Sequence, residues 1–374
     1  MITIKNLILI TLLWSLVIFI VINFLNTQKS NVYQPIDELH KNNKVDIYRD
    51  FYMGFNLVST SNLQKRSADL KKILTHGDIA MIIKNPNWEL LINQNKNFYE
   101  SKAMEQMSLE RNLIKKNEKK LLLALNIFDY KNKEKLANLP NVFYNLTKEE
   151  QRLKKGTVIY KSLIEEIIFL ADIYEPEYFA LGFEINSTYE KNPVYFKDFL
   201  LLYFDAYDQL KDKHSNIKIF PTFQYEELLG TMPNQPTHAP RWEIVNDFAN
   251  KIDLFAISSS PSKFTKIQRK IPLNYYSQLS KITSLPIIFT GIGFEGAANN
   301  IPNVATMEEQ YKFISWLFNS IVEIKVEALV WMLLEDYINQ DSRNTNYYGL
   351  IQEENKSNKK SWDIWQSHLN YKKK

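Results

Sequence analysis

The chain predicts an α/β fold, a single (β/α)8 TIM barrel with a transmembrane helix in front of it. Short apolar runs bounded by turn residues recur eight times after residue 46, helical patterns fill the spaces between them, and an apolar stretch near the N-terminus stands apart from that alternation. With 374 residues, 45% of them hydrophobic and 24% charged, the chain can bury a large core. A doubly wound open sheet is the alternative topology, but no Gly-rich phosphate loop follows a strand to support it.

In chain order the strand candidates are Phe51 to Val58, Ile79 to Ile83, Leu121 to Phe128, Tyr178 to Ile185, Ile217 to Phe223, Leu254 to Ser258, Ile287 to Thr290 and Ala328 to Leu334. Between them, helices are expected over Asn62 to Leu74, Phe98 to Lys116, Thr147 to Asp172, Tyr195 to Lys213, Arg241 to Asn250, Leu273 to Thr283 and Met307 to Glu323. Phe199, Leu202, Tyr203, Ala206 and Leu210 recur at helical spacing, which suits packing against a sheet. Trp362 to His368 reads as a last helix closing the barrel, so the barrel domain is expected over 46–370.

Residues 1–28 read as an uncleaved signal anchor. From Leu7 to Leu25 only Thr11, Ser15 and Asn23 interrupt the apolar run, Lys5 precedes it, and no small-x-small cleavage pattern follows. Residues 29–45, polar and without periodicity, form a linker, and the body is expected outside the cytoplasm, periplasmic or at the cell surface. The net charge of +4, spread over 46 basic and 42 acidic residues, is too balanced to suggest a nucleic-acid surface. The absence of Cys excludes disulfides, thiolate metal sites and a Cys nucleophile.

In barrels of this kind the chemistry lies just beyond the C-terminal ends of the strands. The polar and aromatic residues there are Lys84 and Trp88, Asp129, Glu184 and Asn186, Gln224 and Glu226, Ser259 and Ser260, Glu295, and finally Trp331, Glu335 and Asp336. Such a mouth is rich in carboxylates and amides and has no His cluster, which speaks against a zinc or two-metal hydrolase; no cofactor is expected. Cleaving a glycosidic bond takes two carboxyl groups, one protonated to assist the leaving oxygen and one ionised to attack carbon or activate water. Glu184 suits the acid, because it ends an apolar run beside Phe183, where partial burial favours the protonated form. The competing account is a strand-end Glu paired with a Lys of the next helix.

The phrase Gly182-Phe183-Glu184-Ile185-Asn186, the strand-five phrase Phe220-Pro221-Thr222-Phe223-Gln224, the run Leu285 to Thr290, Trp331, and the ending Tyr348-Gly349-Leu350 with Lys360 to Trp365 occur in that order. With them the chain, from about Phe51 to Trp365, resembles the clan of (β/α)8 glycoside hydrolases whose acid/base Glu ends strand four and whose nucleophile Glu ends strand seven, endo-galactanases and cellulases among them. The resemblance implies Glu184 as acid/base, Trp331 as a sugar platform, and Asn186 and Gln224 as hydroxyl contacts; by their positions after the apolar runs, Glu226, Glu335 and Trp88 are further candidate substrate-binding residues.

Three departures from the clan's pattern follow. Gly291 stands where the nucleophile is expected, Phe183 replaces the Asn that usually precedes the acid/base, and Ser259-Ser260-Pro261 stands where a Tyr often supports the nucleophile. Glu295, in a Gly-rich loop that could fold back, is the expected substitute carboxylate, with Glu335 or Asp336 as the other source. The chain thus reads as a membrane-anchored, glycoside-hydrolase-like barrel acting on or binding an extracytoplasmic polysaccharide or oligosaccharide. The alternative is a non-catalytic carbohydrate-binding or envelope or exopolysaccharide assembly protein that has lost the nucleophile.

Overall fold

Eight parallel strands close on themselves in a computed structural model of the chain. It describes residues 48–373 apart from 59–61, 89–101, 131, 141–146, 148–149, 234, 249, 265–270, 299–300, 339–344 and 353–355. The expected anchor over 1–28 and linker over 29–45 lie outside the described residues. Among the described residues, no helix is long and apolar enough to cross a membrane.

The strands are β1 (Tyr52–Leu57), β2 (Ile79–Lys84), β3 (Lys120–Leu125), β4 (Tyr178–Leu181), β5 in two segments (Lys218–Phe220 and Thr222–Gln224), β6 (Phe255–Ser259), β7 (Ile287–Ile292) and β8 (Val326–Trp331). β8 pairs with β1, which closes the ring. Pro221 divides β5 because it has no N–H to give to the ladder. The first segment pairs with β4 and the second with β6, so nine segments make eight barrel strands.

Between the strands run α1 (Leu63–Thr75), α2 (Lys102–Lys116), α3 (Val158–Tyr174), the short α4 (Asn186–Lys191) and α5 (Pro193–Lys213). The single turns α6 (Tyr225–Leu228), α7 (Glu243–Asn246), α8 (Pro261–Phe264) and α9 (Leu279–Ile282) come next, then α10 (Met307–Ser320) and the closing α11 (Lys360–Leu369). Three helical expectations are corrected. α3 starts at Val158 instead of Thr147, because Gly156 turns the chain at φ 96° and the Thr157 side chain caps Tyr160 N–H. The expected helices over Arg241 to Asn250 and Leu273 to Thr283 shrink to the single turns α7 and α9.

Ring contacts fix which way the strand residues point. Phe55 meets Trp365 of α11 at 4.9 Å, Phe223 meets Phe248 at 5.8 Å, Phe289 meets Tyr276 at 5.3 Å and Trp331 meets Phe313 of α10 at 6.2 Å. These residues face the helical layer, so by strand alternation Asn56, Thr222 and Thr290 face the barrel axis. Both faces of the wall are therefore buried, which is why the strands read as nearly continuous apolar runs.

Two irregularities shape the mouth. β4 stops at Leu181 instead of Ile185, because Gly182 (φ 86°) and Glu184 (φ 52°) turn the chain through the left-handed region. Gly182 N–H donates to Leu125 O and Thr222 N–H donates to Gly182 O, at 3.1 and 3.0 Å, tying that turn to β3 and β5. On β7, Phe289 and Ile292 oppose Leu329 and Trp331 of β8 on one side and Ile257 and Ser259 of β6 on the other. Thr290-Gly291 thus carries one extra residue, a β-bulge at the position expected to hold a nucleophile.

Candidate active site

Glu184 is presented by strain. A non-Gly residue in the left-handed region costs on the order of 1–3 kcal/mol and persists only where its surroundings hold it. Here its N–H donates to Thr222 Oγ1 at 2.8 Å, and the Ser258 hydroxyl of β6 donates to its Oε1 at 2.6 Å. The residue is half-buried, and β6 braces its carboxylate.

Three neighbours were not legible in the sequence. Lys133 donates to Phe183 O at 3.1 Å; burial presses its pKa down, and the charges of Glu184 and Glu227 oppose that. Tyr130, 65% exposed, lies with its ring 5.8 Å from Lys133 Nζ. Glu227 takes hydrogen bonds from Ser187 and from Asn186 Nδ2, the latter at 3.1 Å. Burial raises the Glu227 pKa, and the Glu184 charge raises it further, so a second carboxyl group lies within electrostatic reach of Glu184.

Asn186, Gln224 and Glu226 are brought to this end of the barrel, but each is committed to the protein. Asn186 accepts from Gln224 N–H at 2.8 Å and donates to Gln224 O at 3.0 Å, latching the loop after β4 onto β5. Gln224 caps α6 through Glu227 N–H at 2.6 Å and donates to Glu226 Oε2 at 2.5 Å. Glu226 is fully buried and receives Ser259 Oγ at 2.5 Å, Tyr275 OH at 2.9 Å and Ser260 N–H at 3.3 Å. Burial raises its pKa despite these donors.

The three serines at the end of β6 serve four different groups: Ser258 holds Glu184, Ser259 holds Glu226 and the Tyr276 hydroxyl, and Ser260 Oγ donates to Tyr348 OH at 2.8 Å. Burial raises the Tyr348 pKa, as do the charges of Glu295 and Glu226. Glu295 is half-buried, and its N–H donates to Ser262 Oγ at 3.2 Å. At Gly291, φ is 153° and a Cβ would meet nothing within 4 Å, so the space a nucleophile's side chain would enter is open.

The strand-eight positions are placed differently from the expectation. Trp331 is fully buried, its Nε1 donates to Tyr348 O at 2.7 Å, and its ring packs among Phe313 and Trp365, so the surface a sugar would stack on is covered by protein. Glu335 pairs with Lys72 of α1 at 2.8 Å and Lys356 at 3.2 Å, which against the effect of burial hold its pKa below the ordinary value. Asp336 is buried against Lys359 at 2.8 Å and accepts Gly349 N–H at 2.9 Å. A parity error explains Trp331: Leu329 and Trp331 point outward together, which strand pairing reveals and the apolar run alone does not.

At the same end of the barrel, a cavity of about 1000 Å³ opens between the ends of β1, β2, β3 and β8; Glu184 is not among its described lining residues. Tyr130 lines it and also senses Glu184, which places the two on the same mouth. Trp88 lines it too, but with 1% exposure and its Nε1 donating to Ala137 O at 2.7 Å. Among the described residues, no group of three or more His, Asp or Glu side chains is placed to hold a metal ion.

No family model matches the chain, and no curated protein matches it in sequence. Solved structures do match. A GH5_18 protein from Streptomyces cattleya in complex with GlcNAc superposes with a TM-score of 0.59 at 15% identity, over 86% of this chain and 80% of that one. The fold is a parallel (β/α) barrel like that of this glycoside hydrolase. An exo-beta-1,4-mannosidase from Opitutaceae bacterium strain TAV5 gives 0.60 at 10% identity, over 87% of this chain and 62% of its own. The beta-glycosidase from Thermosphaera aggregans gives 0.54 at 10% identity, over 87% and 97%. At such identities the likeness establishes the shared barrel alone.

Proposed function

We propose that the protein is a saccharide-processing barrel in which Glu184 acts as general acid/base. The observation that carries this is the strained, braced presentation of Glu184 just past the end of β4, at the same end of the barrel as a cavity lined by amides and an exposed tyrosine. In its protonated form Glu184 would donate to a leaving glycosidic oxygen, and afterwards take a proton from water. Solved neighbours include a protein bound to GlcNAc and a mannosidase, which supports an oligosaccharide or polysaccharide as the ligand. The second carboxyl group is proposed to be Glu295, entering from the loop after the bulge, since its charge reaches the Tyr348 hydroxyl that β6 holds at the mouth. The apolar stretch Leu7 to Leu25 supports a membrane-anchored, extracytoplasmic setting.

A second reading, a non-catalytic carbohydrate binder, is favoured by one observation. The bulge puts Gly291, with open space beside it, where this chemistry wants a carboxylate. Hydrolysis of a polysaccharide panel by the full chain, with Glu184→Gln and Glu295→Gln beside it, separates the two. Cleavage abolished in both variants supports the enzyme with Glu295 as partner. Cleavage lost only in Glu184→Gln removes Glu295 from the reaction, and saccharide binding without cleavage in all three proteins favours the binder. Cleavage unaffected by Glu184→Gln sinks the assignment of Glu184.

A further inference from the structure

The cavity between the ends of β1, β2, β3 and β8 has a charge imbalance that acid/base chemistry does not use. Its described lining contains Arg66 and Lys84 but no Asp or Glu. Behind that lining both cations share one carboxylate, Glu110, which is fully buried: Arg66 Nε bonds its Oε1 and Lys84 Nζ lies 3.1 Å from its Oε2. Tyr174 OH and Gln106 Nε2 also donate to Glu110, at 2.5 and 2.8 Å, so its lone pairs are largely taken. Lys84 Nζ sits 5.4 Å from the centre of the Tyr174 ring, a weak substitute for a second anion. Glu166, under the loop that carries Asn87, does not cancel the excess fully, since burial lifts its pKa to about 7.

We propose that this cavity takes the anionic unit of an acidic saccharide, a sugar bearing a carboxylate or a sulfate ester, with Lys84 and Arg66 as the groups that recognise its charge. The inference rests on the saccharide reading above and names the substrate class. A cation held in a partly dry wall with half a counter-ion is costly, and a ligand anion supplies the missing half. The rest of the wall suits the sugar. Asn56, Asn85, Asn87, Asn138 and Asn346 offer paired donors and acceptors for hydroxyl groups. Tyr130, exposed between this cavity and Glu184, offers a ring to the adjoining sugar.

The test is calorimetric titration of the full chain with three disaccharides: one ending in glucuronate, its neutral glucose counterpart, and the glucose counterpart carrying a 6-sulfate. The acidic ligands are expected to bind about tenfold or more tightly than the neutral one, with the advantage shrinking between about 50 and about 500 mM salt. Lys84→Met, which leaves Arg66 to hold Glu110, should remove most of that advantage while binding of the neutral disaccharide stays within about twofold. Preference for glucuronate alone or for sulfate alone identifies the anion. Neutral and acidic ligands binding equally well, or an acidic preference untouched by Lys84→Met in a protein with unchanged thermal unfolding, overturns this inference alone. Binding of none of the three overturns the saccharide reading and this inference with it.

Discussion

Replacing Glu166 with glutamine should raise stability above neutral pH and flatten its pH dependence. Glu166 lies on α3 with 3% exposure; Oε1 accepts Asn87 N–H at 2.9 Å, and Oε2 is buried with no partner among the described residues. Burial lifts its pKa from 4.5 to about 7, which at 1.36 kcal/mol per pH unit is worth about 3 kcal/mol. The folded state holds the proton more tightly than the unfolded state, so this stability is fully present below pH 4.5 and is lost as pH rises through about 7. Glutamine keeps an acceptor for Asn87 N–H and has no charge to desolvate. Urea unfolding followed by tryptophan fluorescence at about pH 5 and about pH 8 would compare parent and variant. The parent should lose up to about 3 kcal/mol from this group over that interval and Glu166→Gln should not. An equal fall in both would refute the assignment of a buried, protonated Glu166.

Other substitutions probe the mouth. Glu184→Gly relieves the left-handed backbone at φ 52° and should stabilise the fold by about 1 kcal/mol while abolishing any hydrolysis; a lower unfolding midpoint would contradict the strain. Trp331→Phe leaves Tyr348 O without its donor and should cost about 1–3 kcal/mol with saccharide affinity unchanged, whereas selective loss of affinity would show the ring to be a sugar contact. Gly291→Glu sends a carboxylate into open space at a backbone cost of about 1–3 kcal/mol. If the bulge is a vacated nucleophile position, hydrolysis of a polysaccharide the protein binds should rise at least about tenfold, a change of about 1.4 kcal/mol in barrier. A folded variant with no gain would mean that the bulge points the new side chain away from the bond to be cut.

The barrel was legible because both faces of each strand are covered, so the strands stand out as apolar runs whatever their register. That Glu184 sits just past the end of the fourth strand was legible because Gly182-Phe183-Glu184 breaks such a run. Glu227 was not: it adjoins Glu226 on a one-turn helix, where successive side chains diverge by about 100°, and only the placement of α6 decides which of them approaches Glu184. Tyr130 and Lys133 belong to a loop with no periodicity to read. The late start of α3 could have been read from Gly156-Thr157, a turn residue followed by a cap. Glu335 and Asp336 follow β8 closely, yet the chain beyond Trp331 carries them to Lys72 and Lys359, and no spacing rule reports that departure.

The end of β6 ties chemistry to topology. Ser258, Ser259 and Ser260 present hydroxyls in succession, and each has a different addressee on a different loop. Because the three side chains are identical, sliding β6 by one residue would set a serine at two of the three positions again and strip only one addressee of its partner. A slip that brings Ile257 onto the Ser258 position releases the Glu184 carboxylate, and one that brings Pro261 onto the Ser260 position releases the Tyr348 phenol. The buried Glu226 keeps a hydroxyl either way, so the run buffers the inside of the mouth against an error in how the barrel closes.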